Sequence, residues 1–241
     1  MATAFVTGAG VRIGTAIARA LAHSGYDLAL HANRSVAALG ALATELRALG
    51  RTVTLHAADL SSPDAVDALG AELRAAYPAL DLLVHNAGLF ERAPFATLTR
   101  AQYRHMQAVN LEAPFFLTQA LLPSLRAASS PLVVHLTDIG GERPVKEYAH
   151  YSVSKAGLLM LTRALAAELA PHIRVNAISP GTVLFPEDFD AAARAEVLAR
   201  IPLGREGGVE DIARTVVFLA TQTGYITGQV IAVDGGRSAQ L

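Results

Sequence analysis

Thr3-Ala4-Phe5-Val6-Thr7-Gly8-Ala9-Gly10-Val11-Arg12-Ile13-Gly14 decides the architecture. A short β-prone apolar run enters a glycine-rich turn, and the turn opens a helical pattern over Ile13–His23. Gly8 and Gly14 permit a tight turn and close helix–strand packing, so main-chain N–H groups and the helix N-terminus converge on one point. Such a point holds a pyrophosphate. A glycine pattern by itself is weak, but between a strand and a helix it points to a dinucleotide site.

The same rhythm continues along the chain. Strand patterns at Thr3–Thr7, Asp27–His31, Thr52–His56, Leu82–His85, Leu132–Leu136, Arg174–Ile178 and Gln229–Val233 alternate with helical ones. The helices are expected at Ile13–His23, Val36–Leu49, Pro63–Tyr77, Arg100–Leu125, Tyr151–Leu169, Asp190–Ala199 and Val209–Leu219. Leu132-Val133-Val134-His135-Leu136 is nearly all apolar, which suits a parallel strand covered on both faces. The expectation is an α/β fold: a doubly wound (Rossmann) parallel sheet of about seven strands with helices on both faces. No linker, charge block or repeat interrupts the series, so residues 1–241 read as a single domain for nucleotide binding and catalysis. The long loops around Gly88–Thr99, Ile139–His150 and Gly181–Asp190 follow strands, where ligands bind in such sheets. Phe185–Phe189 falls in the last of these and is expected to touch substrate.

Composition narrows the partners. The 241 residues are 52% hydrophobic and 17% charged, within the range of ordinary globular domains. Lys and Arg number 20 against 21 Asp and Glu, so no global field attracts nucleic acid or an anionic membrane. There is no Cys, hence no disulfide framework or thiolate metal site. The eight His lack metal-ligand spacing and read as structural or solvated; no metal is expected. The first residues lack a basic region before an apolar run, and the apolar stretch Ala113–Leu125 is broken by Pro114, Thr118, Gln119 and Pro123. A cytoplasmic location follows as an expectation. Asn33-Arg34-Ser35 fits a glycosylation sequon, which chance explains in that setting. No GxSxG nucleophile elbow occurs.

The end of the second strand reads His31-Ala32-Asn33-Arg34-Ser35. An acidic residue here would accept the ribose 2′-hydroxyl of NAD and repel a 2′-phosphate; Arg34 attracts that phosphate and Ser35 can donate to it. NADP(H) is therefore expected over NAD(H). Arg12 adds a guanidinium at the mouth of the turn, suited to an anion.

Tyr151-Ser152-Val153-Ser154-Lys155 places Tyr151 and Lys155 on one helical face. A nearby ammonium lowers a phenol's pKa, which readies it to deliver a proton near neutral pH. Together with the glycine turn, this resembles the short-chain dehydrogenase/reductase family along essentially the whole chain: Asp59-Leu60, Asn86-Ala87-Gly88, Asn110, Tyr151/Lys155 and Pro180-Gly181 all match. The resemblance implies hydride transfer at a nicotinamide, Asp59 near the adenine, and Asn86–Gly88 supporting the cofactor. It further implies that Asn110 holds a relay water, that Lys155 also binds the nicotinamide ribose, and that the subunits form a homotetramer through the two long helices.

Thirteen residues before Tyr151, where most members of that family carry a carbonyl-polarising Ser, this chain has Asp138. An ionised carboxyl cannot donate to a ketone oxygen. Arg12 in TGxxxRxG, the His31–Ser35 segment and Asp138 together resemble the pteridine reductase branch. That likeness implies a dihydropterin or dihydrofolate substrate bound by Arg12, Phe90, Asp138 and Tyr151. Phe90 would stack the ring against the nicotinamide, and Tyr151 assisted by Asp138 would move the proton. The Gly88 position, a Ser in some branch members, departs from the pattern. Two alternatives stay open: a β-ketoacyl-type carbonyl reductase of the same family, and a non-catalytic NADPH-binding regulator.

Overall fold

A computed structural model describes residues 2–185 and 190–239. Seven parallel strands form one sheet in the order β3-β2-β1-β4-β5-β6-β7. They are β1 (Thr3–Val6), β2 (Asp27–Ala32), β3 (Val53–Ala57), β4 (Leu82–His85), β5 (Leu132–Leu136), β6 (Arg174–Pro180) and β7 (Val230–Val233). Chain order reverses between β1 and β4, which opens a crevice at their carboxyl ends. The central strands β4 and β5 are buried throughout, as their unbroken apolar sequences require.

Helices α1 (Arg12–His23), α2 (Val36–Ala48) and α8 (Val209–Thr221) cover one face, where Ile17, Leu21, Leu39, Leu46, Val84 and Val216 make up the packed layer. α3 (Pro63–Ala76), α5 (Ala113–Ala127) and α6 (Ala149–Leu169) cover the other through Leu69, Leu73, Leu117, Leu121, Val133 and Leu169. Each such Leu contributes on the order of 1.5–3 kcal/mol by leaving water. α4 (Arg100–Gln107) and α7 (Ala191–Leu198) are the other α-helices among the described residues, α4 starting with a reciprocal Thr99/Gln102 cap. Two of the buried His, His85 and His135, stack on adjacent strands with ring centroids 5.2 Å apart, each bonded to a threonine of a covering helix, Thr118 or Thr162.

The element types agree with the sequence reading, with one correction. The single helix expected over Arg100–Leu125 is α4, a π-helical turn over Ala108–Glu112, and α5. The extra residue wound into that turn carries Asn110, whose side chain is pulled inward to the loop after β4. α6 begins at Ala149, two residues before the expected start. Among the described residues no helix is long and apolar enough to cross a membrane. Of the segment Phe185–Phe189, residues 186–189 lie outside the described residues.

Candidate active site

The glycine turn sits at the β1/β4 crevice. Gly8 has φ +65°, and a Cβ on Gly14 would lie 2.1 Å from the Gly8 carbonyl oxygen, so the close approach of α1 to the turn demands glycine there. Asn86, after β4, donates its side-chain amide to the carbonyls of Thr7 and Gly8, while the Thr7 hydroxyl accepts from the amides of Asn86 and Ala87. The first turn of α1 contains no acidic residue and its N-cap, Val11, offers no side-chain acceptor. Its main-chain donors are thus left for an anion, and the residues fit a pyrophosphate. Ile13 is half-buried behind the turn. Arg12 is a non-glycine residue at φ +55° and lines a groove of about 500 Å³ between α1 and α8 together with Arg19, His23 and Arg214.

One contributor to this turn escaped the sequence reading. His31, buried at the end of β2, accepts the Gly8 amide at Nδ1 (3.3 Å) and donates from Nε2 to the Ala58 carbonyl (3.0 Å). Burial lowers its pKa, in keeping with a neutral ring of fixed tautomer. The sequence set it apart only as the first residue of the His31–Ser35 segment, with no role for its ring.

Around the next turn of chain, Asn33 and Arg34 are exposed at the carboxyl end of β2. Ser35 occupies the N-cap position of α2 but makes no capping bond, so the cap explains nothing about its hydroxyl. Asp59, held below the usual carboxylate range chiefly by bonds from Ser61, lies close enough to Arg34 to feel its charge; Leu60 beside it is buried.

The second half of the crevice collects Asn110, Asp138, Tyr151 and Lys155. Asn110 accepts from the Leu89 amide at 2.8 Å and reaches the Leu89 carbonyl and the Ser154 hydroxyl with its nitrogen, which ties the post-β4 loop to α6. Asp138 follows β5 and caps the short 3₁₀ turn Ile139–Gly141 by accepting from Gly140 N at 2.6 Å. A Cβ on Gly141 would fall 2.9 Å from the Lys155 main chain; glycine here lets the turn press on α6 and brings Asp138 to Tyr151. Asp138 faces Tyr151 closely enough for its carboxylate to act on the phenol. Lys155 donates to the Leu136 carbonyl at 2.8 Å, with Nζ 5.8 Å from the Tyr151 ring centre. Gly88 lies beside it, and a Cβ there would stand 3.5 Å from Nζ. Pro180 closes β6 and Gly181 begins the following loop. Phe90 lies over Tyr151 edge to face, centroids 4.8 Å apart, and stacks on Tyr148 at 4.4 Å.

The electrostatics correct one expectation. The phenol is not lowered: burial, then the charge and hydrogen bond of Asp138, push Tyr151 well above the usual tyrosine value. Burial raises Asp138, against the bond from Gly140 and the Lys155 charge. Burial brings Lys155 down to about 8, with Asp138 opposing. For a lysine whose folded pKa is depressed, the unfolded chain binds more protons between about 8 and the usual value of 10.5. Stability of the cofactor-free protein should therefore rise with pH across that window, by up to about 3 kcal/mol. Denaturant unfolding from pH 7 to 10.5, with Lys155→Met compared with the parent, checks this. The variant should lack the rise, and identical slopes would show that Lys155 does not carry it.

The profile of the enoyl-(acyl carrier protein) reductase family matches residues 8–238. The chain belongs to the short-chain dehydrogenase/reductase family. An uncharacterised oxidoreductase of Bacillus subtilis, YmfI, is 34% identical over 239 residues, covering 97% of this chain and 98% of that one. A 3-oxoacyl-[acyl-carrier-protein] reductase, FabG, of Staphylococcus aureus is 33% identical over 238 residues and 97% of each chain. Among solved structures, a blue fluorescent protein from a metagenomic library, crystallised with NADPH, superposes with a TM-score of 0.90 at 33% identity, covering 98% of this chain and 97% of that one. As a member of this family the chain is an NAD(P)-dependent oxidoreductase with a Rossmann-like sheet.

Proposed function

We propose that this reductase uses NADPH to convert a dihydropterin or dihydrofolate-type ring to its tetrahydro form. The observation that carries the reading is the placement of the Asp138 carboxyl beside Tyr151, fixed by the Gly140 amide, with both groups next to the same Gly140 position. A ketone oxygen presents only an acceptor, so it uses one of a carboxyl's two capacities and only while that carboxyl is protonated. A nitrogen-rich ring presents both amino donors and ring-nitrogen acceptors, and a carboxyl can serve either according to its protonation. Gly8, Arg12, Ile13, Gly14, Asn33, Arg34, Ser35, Asp59, Leu60, Asn86–Gly88, Pro180 and Gly181 line the cofactor's side of the crevice in this reading. The NADPH held by a structural neighbour supports the choice of cofactor.

When bound, NADPH supplies the hydride to a carbon of the ring's C=N bond. The residues of the chain handle the proton that the adjacent nitrogen must gain. Tyr151 carries it at its hydroxyl, Asp138 orients that hydroxyl and the ring's amino edge, and Lys155, fixed by the Leu136 carbonyl, offsets negative charge left on either. Asn110 holds the Leu89 loop against α6, which keeps Phe90 over Tyr151. Exposed Phe115, Phe116, Val153 and Met160 on α5 and α6 suit the homotetramer this reading carries with it, and light scattering on the purified protein tests that.

The comparisons favour a second reading, reduction of a β-ketoacyl thioester, because a named relative is a 3-oxoacyl reductase. NADPH oxidation with dihydrobiopterin, dihydromonapterin and dihydrofolate, run beside an acetoacetyl thioester, separates the two. Pterin turnover supports the first. Thioester turnover alone moves the assignment to the second, and tight NADPH binding with neither would indicate a regulator. On cofactor choice, Arg34→Ala should weaken NADPH by about 1.5–3 kcal/mol, the range for a hydrogen bond to a charged group, and spare NADH. Equal losses for both cofactors in a titration would remove the 2′-phosphate role.

A further inference from the structure

Two loops that flank Tyr151, one after β4 and one before α6, are clasped at three points. Arg92 donates from Nε to Glu147 Oε2 at 2.6 Å and forms an ion pair with the same carboxylate through a second nitrogen. The Ala93 amide donates to the Glu147 carbonyl at 2.9 Å. Phe90 and Tyr148 stack with centroids 4.4 Å apart and planes 11° from parallel, and both meet the Tyr151 ring edge to face. Glu147 adopts φ +68°, a conformation that costs a non-glycine residue energy and persists where surrounding contacts impose it. The strained residue thus sits at the joint where the two loops meet. Its immediate neighbour in sequence is the ring that backs Phe90.

We infer that Tyr148 is a specificity-determining residue, held by the Arg92–Glu147 clasp as the second ring of an aromatic wall that receives a flat heterocycle beside Tyr151. Phe90 is half exposed and could turn about its own χ angles; stacking on Tyr148 fixes its plane. A preset plane favours a rigid planar ring over a flexible acyl chain, because less ordering remains to be done on binding. This inference builds on the pterin reading, since it names what in the wall would select such a ring.

The test measures binding as well as turnover. NADP⁺-saturated protein is titrated with methotrexate as the pteridine-ring probe, and dihydropterin kinetics are recorded for the parent, Tyr148→Ala, Tyr148→Phe and Glu147→Gly. Tyr148→Ala should raise the methotrexate Kd and the dihydropterin KM about 3- to 10-fold with a smaller change in kcat, the range of one aromatic pair. Tyr148→Phe should restore both. Glu147→Gly relaxes the left-handed backbone yet removes the carboxylate; it should raise both constants and speed hydrogen exchange at the Ala93 amide. Unchanged constants in Tyr148→Ala, or Tyr148→Phe as impaired as Tyr148→Ala, would overturn the inference, and NADPH affinity reports that each variant is folded. If the parent turns over no pterin but binds methotrexate in a Tyr148-dependent way, the proposed activity fails and the aromatic wall stands. If the parent binds no methotrexate, the wall falls too.

Discussion

Replacing Tyr151 with phenylalanine is expected to lower kcat at least ~100-fold with little change in cofactor affinity, because it deletes a positioned proton carrier and leaves the glycine turn untouched. The structure adds a second effect. Hydrogen bonding with the neighbouring Tyr151 is one of the influences that hold the carboxyl's pKa down against the pull of burial. With phenylalanine at 151 the bond disappears, so Asp138 should titrate at higher pH than in the parent. Any residual activity should then fall off at a more alkaline pH. Steady-state kinetics across pH, with NADPH affinity measured separately, read both effects. A kcat within threefold of the parent would take Tyr151 out of proton transfer.

Asp138→Ser is expected to reduce kcat/KM for a dihydropterin by about 10²-fold or more, the low end of what a positioned acid–base group supplies. The serine retains a short polar side chain but loses the carboxyl, one oxygen of which is bonded to the Gly140 amide. A raised carboxyl pKa means that the neutral, donating form persists to higher pH than for an ordinary aspartate. Pterin reduction by the parent should accordingly decline as pH rises through that value, and Asp138→Ser should lack the decline. Undiminished pterin turnover in the variant would end the case built on this carboxyl. A variant that loses pterin turnover while thioester turnover is unaffected would place Asp138 in substrate choice.

Much of the fold was legible because it is periodic. Strand and helix patterns alternate so regularly that seven strands and the helices between them could be named from apolar spacing, and the glycine turn lay where the first strand ends. The break in the long helix after β4 was not legible. Ala108–Glu112 carries no Gly or Pro to mark a break, and the partners that Asn110 finds there, Leu89 and Ser154, are contacts made across the fold. The candidate site divides in the same way. Asp138, Tyr151, Lys155 and Phe90 were named from the sequence and lie together. Their charge states were not, since the ammonium expected to acidify Tyr151 is outweighed by burial and by the carboxylate it faces. Glu147 and Tyr148 belong to a loop with no regular pattern, and their importance rests on a backbone angle and a ring plane that only coordinates reveal.

The tautomer of His31 has a consequence for acid solutions. Its Nδ1 lone pair is taken by the first amide of the glycine turn and its other nitrogen is spent on the strand beyond, so an incoming proton has no place on the ring unless Gly8 lets go. Burial already disfavours that charge, so the ring stays neutral to lower pH than an exposed imidazole, and the turn keeps its anchor in acid where a solvated His would have let it go.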